Sequence, residues 1–437
     1  MKPTFIALVF LFLAGCVSPT QDASDQGSPS VAAKTSPPAS LTVGQPSKRP
    51  GEMLPLLGLS LRDPENRDAD GWQIPESDQY PTWLNLPKGF IRHPAGSQSF
   101  KITSIQDPGF LYARDVILKD LPESVSHDFT WPPQLPVDQV SAWVTSRTGR
   151  ICLGNEPPNH IPTKWADGVS YVQWASTVYA QNPVLRDRMW IQSGKPEVLR
   201  YSTDPLMLSK HRSVWDATAA AVKSGALPAR IVTTHKIFPE FPADLYGFYR
   251  QLLDDYANTY GPDVKVCFQE WNYADADELT ADVIPTLGAF LCVMSRLKSE
   301  QGDQVSGAAY QQGFAVGNTN LIGTPGLPRA NPGAKWTAGA VADFWQLFGD
   351  VMASGDYVSS KIANKPDGLY FEIFDRGGKR YAIAANTSDV DILLEANATR
   401  ITWIDPDGTS RAGRYRSRIP AKSAGVLEFS APKIKKR

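Results

Sequence analysis

Between residues 54 and 312, short apolar runs alternate with longer segments of helical spacing. This alternation predicts an α/β fold, because parallel strands are buried on both faces and need helical crossovers between them. Strands are expected at 54–61, 89–92, 150–154, 188–193, 229–234, 264–269 and 305–312, with helices at 137–146, 171–180, 215–223, 245–260 and 284–297. One more strand is needed between residues 100 and 130, where no pattern places it. Eight such strands predict a (β/α)8 barrel over residues 51–355.

The pattern changes from about residue 360 onwards. Short strands are expected at 369–375, 380–386, 391–394, 400–405 and 425–429, separated by turn residues such as Asp405-Pro406-Asp407-Gly408. Short strands joined by tight turns are typical of antiparallel sheets. The sequence therefore predicts an antiparallel β-sandwich over residues 356–437.

The sequence at the amino terminus predicts a targeting segment. Lys2 precedes an apolar run over 5–13, which is too short to span a membrane as a helix. The run ends in Leu13-Ala14-Gly15-Cys16, which resembles the bacterial lipobox. The resemblance implies a signal peptide over residues 1–15, a lipid on Cys16, and an outer-membrane lipoprotein that is periplasmic or surface-exposed.

Residues 16–50 contain no aromatic residue and are rich in Ser, Pro, Thr and Ala. Such a composition cannot bury enough apolar surface to offset the entropy of ordering, so a disordered linker is expected there. The whole chain has 44 basic and 45 acidic residues, and its net charge of −1 gives no sign of nucleic-acid binding. The three cysteines beyond Cys16 lack metal-ligand spacing, so no metal and no cofactor is expected.

Two predicted strands end in a glutamate. One runs into Gly154-Asn155-Glu156-Pro157 and the other into Gln269-Glu270-Trp271-Asn272. The glutamates are 114 residues apart, a gap that three βα units of roughly 35–40 residues would fill. They would thus follow strands four and seven, at the barrel end where functional groups gather. A pair of carboxyl groups in such a place is what glycoside cleavage needs.

These two segments resemble the signatures of the clan A glycoside hydrolases. The Glu-Trp-Asn form is similar to α-L-arabinofuranosidase and β-xylosidase families, and Gly-Asn-Glu-Pro is similar to heparanase-like enzymes. The resemblance implies that Glu156 is the acid/base and Glu270 the nucleophile of a retaining mechanism, and that Asn155 contacts the 2-hydroxyl of the sugar. Departures are Ala95-Gly96, where many relatives have two glycines, and Gln269 before the nucleophile.

Three further residues receive roles from the same resemblance. Arg92 matches an arginine beside the nucleophile, which would keep Glu270 ionised. His235 follows predicted strand six and would orient the nucleophile, and Trp271 is a candidate sugar platform. The alternatives are a structural ion pair for Arg92, a satisfied polar group for His235 and core packing for Trp271.

The predicted function is retaining hydrolysis of O-glycosidic bonds in a poly- or oligosaccharide, by an enzyme attached to the membrane through Cys16. The alternative is a carbohydrate-binding surface lipoprotein that kept the barrel without the catalysis. The presence of both glutamates favours the enzyme, because a degenerate barrel tends to lose one of them. The sequence does not separate arabinofuranosidase, xylosidase and endo-acting hydrolase.

Overall fold

A computed structural model provides the fold of the protein. It describes residues 39–47, 51–61, 86–94, 125–129, 137–138, 150–154, 157–160, 168–183, 188–227, 231–238, 244–273, 281–314, 322–323, 337–338 and 340–430. The predicted signal peptide, Cys16, Asn155 and Glu156 lie outside these ranges.

The first of two sheets is parallel over most of its width. Its strands are β2 (Gly58–Leu61), β3 (Ile91–Pro94), β4 (Val125–Phe129), β5 (Arg150–Leu153), β6 (Met189–Gln192), β7 (Ile231–Phe238), β8 (Lys265–Tyr273), β9 (Val305–Phe314), β10 (Ile322–Gly323) and β11 (Thr337–Ala338). Each strand from β2 to β9 pairs in parallel with the next one. β9 also pairs in parallel with β2, so the pairing returns to its first strand.

Helices follow the later strands of this sheet. They are α1 (Gly168–Gln181), α2 (Pro196–Tyr201), α3 (Pro205–Ser224), α4 (Leu245–Tyr260), α5 (Val283–Gln301) and α6 (Ala340–Ser354). The Asp204 side chain accepts hydrogen bonds from the first turn of α3, and Asp244 does the same for α4. These caps satisfy backbone donors that the first turn leaves open. Gly225 ends α3 in the left-handed conformation, with φ +76°.

Within the described residues, the second sheet has nine strands, in the order β17-β16-β19-β14-β13-β12-β1-β15-β18. They are β1 (Ala39–Pro46), β12 (Asp356–Ala363), β13 (Leu369–Arg376), β14 (Lys379–Asn386), β15 (Ile392–Glu395), β16 (Ala398–Ile404), β17 (Ser410–Arg414), β18 (Arg418–Ile419) and β19 (Ser423–Phe429). One apolar cluster takes residues from strands across this order, including Ala39, Phe371, Leu394 and Leu427. The sheet therefore curls around a core of its own.

β1 corrects the expected extent of the linker. The sequence predicted disorder over residues 16–50, but Ala39–Pro46 forms a strand that pairs antiparallel with β12 and parallel with β15. The strand is stabilised by partners more than 300 residues away in the chain, which a local composition argument cannot detect. The β1–β15 pair also makes this sheet mixed, where the sequence predicted only antiparallel pairing.

Helix α5 joins the two sheets. Gly288 lies so close to the second sheet that a Cβ there would be 2.8 Å from the Ala424 Cβ and 2.9 Å from the Ala385 Cβ. Small residues on both sides permit this approach, and Cys292 in the same helix donates to the Ile383 carbonyl oxygen. The predicted strand near residues 100–130 is β4.

Candidate active site

Three of the predicted site residues lie on neighbouring parts of the parallel sheet. Arg92 is the second residue of β3, paired with Ser126 of β4 and with Ser60 of β2. His235 of β7 pairs with Glu270 of β8. The side chains of Arg92, His235 and Glu270 lie outside the part of the chain that the structure describes.

The register between β7 and β8 contains one extra residue at the glutamate. Thr234 pairs with Phe268, but the next residue, His235, pairs with Glu270. No residue of β7 is therefore paired with Gln269. The pairing of β8 with β9 shifts over the same stretch. This is a β-bulge, a feature that re-aims side chains and is over-represented next to active sites. Beyond the bulge, the Trp271 side chain faces the opposite side from that of an unbroken strand.

The structure corrects the expectation for Trp271. Its side chain is 1% exposed and stacks on Phe290 of α5, with ring centroids 3.8 Å apart. Tyr310 and Trp345 also contact it. Because of the bulge, Phe268 and Trp271 belong to the same buried cluster although they are three residues apart. A sugar ring cannot reach this indole, so Trp271 serves packing.

Gly154 directly precedes Asn155 and Glu156 in the sequence. This glycine follows β5 and has φ +105°, a backbone conformation that residues other than glycine rarely adopt. A Cβ there would be 2.7 Å from the Tyr171 Oη and 2.9 Å from the Pro157 Cγ. Tyr171 and Pro157 therefore leave no room for a side chain at position 154.

Tyr171 of α1 ties β5 to β6 next to this glycine. Its hydroxyl contacts the Leu153 carbonyl oxygen and lies 3.0 Å from the Gln192 carbonyl oxygen, at the ends of these two strands. Burial raises the pKa of Tyr171 well above its usual value, so the hydroxyl keeps its proton and remains a donor. The sequence predicted Tyr171 as a helix residue, and nothing in its spacing indicated this contact.

A substitution of Gly154 tests how tightly this position is packed. We expect Gly154→Ala to lower the free energy of unfolding by about 1–3 kcal/mol more than Gly225→Ala, since it adds a steric clash to the backbone strain. Gly225 is the matched control, because it also has a positive φ but no atom within 4 Å of a Cβ. Urea unfolding of both variants measures the difference. An equal decrease in the free energy of unfolding of both variants would show that Tyr171 moves aside for the new methyl group.

The inside of the parallel sheet is filled below the strand ends. Phe90, Cys152, Trp190, Cys267 and Ala309 form one buried cluster, and the rings of Phe90 and Trp190 meet edge to face at 6.1 Å. Cys152, Cys267 and Cys292 are all buried, as small apolar side chains usually are. A filled interior leaves the strand ends as the place where this sheet can bind a ligand.

The loop after β6 is held by residues that the sequence left without a role. The Lys195 backbone N–H donates to the His211 Nδ1 at 2.9 Å, and the Ser193 hydroxyl donates to the Tyr256 hydroxyl at 3.2 Å. His211 is thus a satisfied, buried histidine. Among the residues that the structure describes, no group of three or more potential ligands has the geometry of a metal site.

No helix in the described ranges is both long and apolar enough to cross a membrane. No family model matches the chain, and no curated protein matches it at a significant level.

Solved structures do match the fold. A conserved exported protein from Bacteroides fragilis is 12% identical with a TM-score of 0.57, over 90% of this chain and 100% of that one. A β-porphyranase of glycoside hydrolase family 86 from Bacteroides plebeius is 12% identical with a TM-score of 0.56, over 90% and 77%. A GH39 β-xylosidase from Caulobacter crescentus is 12% identical with a TM-score of 0.54, over 90% and 100%. At such identities the likeness is one of fold.

Proposed function

We propose that the protein is a retaining glycoside hydrolase, in which the cyclic parallel sheet is a (β/α)8 barrel and the second sheet a β-sandwich. The observation that carries the proposal is the pairing of His235 with Glu270 at the bulge of β8. Because all strands from β2 to β9 run in parallel, this bulge and Gly154 belong to the same end of the sheet. Glycosidases of similar fold support the assignment.

The proposed chemistry is a double displacement. Glu270 attacks the anomeric carbon while the bond from that carbon to the leaving oxygen breaks, and Glu156 gives its proton to this oxygen. A covalent glycosyl-enzyme results. Glu156 then takes a proton from a water molecule, whose oxygen displaces Glu270 from the anomeric carbon. The product keeps its anomeric configuration and both carboxyl groups return to their starting states.

Three residues support this chemistry in the proposal. Arg92 on β3 supplies a positive charge that favours the ionised form of Glu270. His235, opposite Glu270 in the sheet, orients the nucleophile, and Asn155 hydrogen-bonds the 2-hydroxyl of the sugar. No cofactor takes part in these steps.

The substrate class that we propose is a poly- or oligosaccharide. Solved structures of similar fold include a β-porphyranase and a GH86 protein in complex with neoagarooctaose. The motif at Cys16 suggests that the enzyme works at the cell envelope as an outer-membrane lipoprotein. Recovery of the intact chain in the soluble fraction of the producing cell would contradict the anchor.

Trapping with activated 2-fluoro glycosides tests the mechanism. The fluorine slows both displacements, and the activated leaving group restores the first, so the glycosyl-enzyme should accumulate. We expect mass spectrometry to find one sugar on the peptide that carries Glu270, and the reactive sugar in the panel defines the substrate class. The chain with Glu270→Gln is the control and should gain no mass.

The trapping experiment also has a clear negative result. An adduct on a peptide without Glu270 would contradict the assignment of the nucleophile. The absence of any adduct, combined with an unchanged affinity of Glu270→Gln for polysaccharide, would contradict the enzymatic function. It would favour the alternative, a carbohydrate-binding lipoprotein.

A further inference from the structure

A cleft lies between helices α2, α3 and α4, on the outside of the parallel sheet. Its volume is about 330 Å³, and its lining includes Leu199, Arg200, Arg212, Trp215, Asp255 and Thr259. The lining residues of α4 lie in the second half of that helix. None of the residues that line the cleft is one of the predicted site residues.

An aromatic pair lies farther along α4 from the cleft. Phe248 precedes Asp255 by seven residues and Thr259 by eleven, so all three share one face of the helix, over about 16 Å. Tyr201, at the end of α2, stacks on Phe248 with ring centroids 6.4 Å apart and an angle of 22°. Tyr201 is 62% exposed, so one face of its ring is open to a ligand.

Aromatic side chains lie at both ends of this face of α4, with Tyr201 and Phe248 at one end and Trp215 in the cleft at the other. Trp215 is 5% exposed and is held from behind by Tyr256 and Tyr260, each with a ring centroid 5.2 Å away. This packing fixes the indole as a rigid wall of the cleft. Rigid aromatic surface binds apolar faces at a low entropic cost.

The charged side chains of the cleft have partners of opposite sign. The Arg200 Nη2 lies 2.5 Å and 2.7 Å from the two carboxylate oxygens of Asp255, and Arg212 lies 4.0 Å from Asp216. A phosphate or nucleic-acid site would present unpaired arginines. The Arg200–Asp255 pair instead offers planar donors and acceptors with no net charge of its own, which suits hydroxyl groups.

We propose that this cleft and the Tyr201–Phe248 pair form a second saccharide-binding site, which holds an uncharged segment of the polysaccharide. A pyranose ring has an apolar C–H face that packs on an aromatic ring, and hydroxyls at its edge that need polar partners. A protein partner fits less well, because a stable interface takes about 20–30 residues a side. The inference rests on the proposed function only for the class of ligand.

Native electrophoresis in gels that contain a polysaccharide tests the second site. The chain with Glu270→Gln serves as the background, so that the gel matrix is not cleaved. Arabinoxylan, agarose and arabinan are the neutral probes and carrageenan is the anionic one. We expect retardation in at least one neutral gel, and a roughly tenfold weaker affinity after Tyr201→Ala. Thr259→Trp, which fills the cleft, should weaken it similarly.

Leu393→Ala is the matched control, since Leu393 is 64% exposed on β15 of the second sheet. It should bind as the background does. In the active chain, Tyr201→Ala should lower the ratio of polymer to short aryl glycoside hydrolysis, and Leu393→Ala should not. No retardation in any neutral gel, or equal retardation of all variants, would overturn the second site. If the intact chain hydrolyses no substrate but Tyr201→Ala and Thr259→Trp still weaken polysaccharide binding, only the proposed function is overturned.

Discussion

A chain with Glu156→Ala is expected to hydrolyse an alkyl glycoside about 10²–10⁴-fold more slowly than the intact protein, which is the usual contribution of a general acid. An alkoxide is a poor leaving group, so bond cleavage depends on the proton that Glu156 supplies. A nitrophenolate leaves without that proton. The first displacement of a nitrophenyl glycoside should therefore be slowed far less than that of the alkyl glycoside.

The second displacement supplies an independent signature of the same residue. Without Glu156 no base activates the water, so the glycosyl-enzyme should accumulate and nitrophenolate release should show a burst. Stopped-flow absorbance measures this burst, and its size gives the fraction of enzyme trapped. Glu395→Gln, which replaces an exposed carboxylate of β15, should change neither rate. Equal losses on both substrates without a burst would remove Glu156 from the acid/base role.

Helices α1, α4 and α5 could be predicted from sequence because their signals are local, whereas α2 and α6 were not predicted and α3 begins ten residues before the helix expected at 215–223. The helix expected at 137–146 lies almost wholly outside the described residues. The helix expected at 245–260 is α4 with the same bounds, and the one expected at 284–297 lies within α5. Both have long apolar stretches at helical spacing and an acidic residue before the first turn. Strand β4 could not be placed, since Val125-Ser126-His127-Asp128-Phe129 is mostly polar between its ends and gains its position from β3 and β5.

In the candidate site, too, some features could be predicted from sequence and others could not. The sequence predicted that Glu270 lies near the end of a strand, because a buried apolar run precedes it. It could not predict the bulge at Gln269, since no glycine or turn residue marks it and only the pairing with β7 and β9 reveals it. The mistaken role of Trp271 follows from that, because the bulge places this side chain against Phe290 of α5. The cleft beside Trp215 needs three helices and has no signal in any one of them.

The contact between α5 and the second sheet contains a buried carboxyl group. Glu372 of β13 is 3% exposed. Its carboxylate lies 2.8 Å from the Arg296 Nε and accepts a hydrogen bond of 2.5 Å from the Tyr357 hydroxyl. Lys365, Cys292 and Glu300 are further titratable groups whose charges act within this group of residues, and burial lowers the pKa of Lys365 and raises that of Cys292.

Burial raises the pKa of Glu372 from 4.5 to about 7, against the opposing effects of Arg296 and Tyr357. The folded chain therefore binds a proton that the unfolded chain has lost between these two pH values. Stability from this group is complete below pH 4.5 and declines as the pH rises to about 7. The decline amounts to about 3 kcal/mol for a shift of this size.

Arg296→Met is expected to lower the free energy of unfolding by about 3–5 kcal/mol at pH 8, because the buried carboxyl group must then either stay ionised without its cation or take up a proton that the unfolded chain does not hold. At pH 5 the loss should be much smaller, since Glu372 is then protonated and uncharged. Urea unfolding at the two pH values measures this difference. Arg250→Met is the control: its pair with Asp254 is about 40% exposed on both sides, so its loss should stay below about 1 kcal/mol at either pH.

The double variant Arg296→Met with Glu372→Leu separates the charge from the packing. Replacing both members of a buried ion pair by apolar side chains is often neutral or stabilising, so most of the stability at pH 8 should return and its dependence on pH should flatten. If the double variant is as unstable as Arg296→Met and equally sensitive to pH, the buried carboxylate is not the cause. The pH dependence would then belong to another group at the contact between α5 and the second sheet, with Lys365 the first to test.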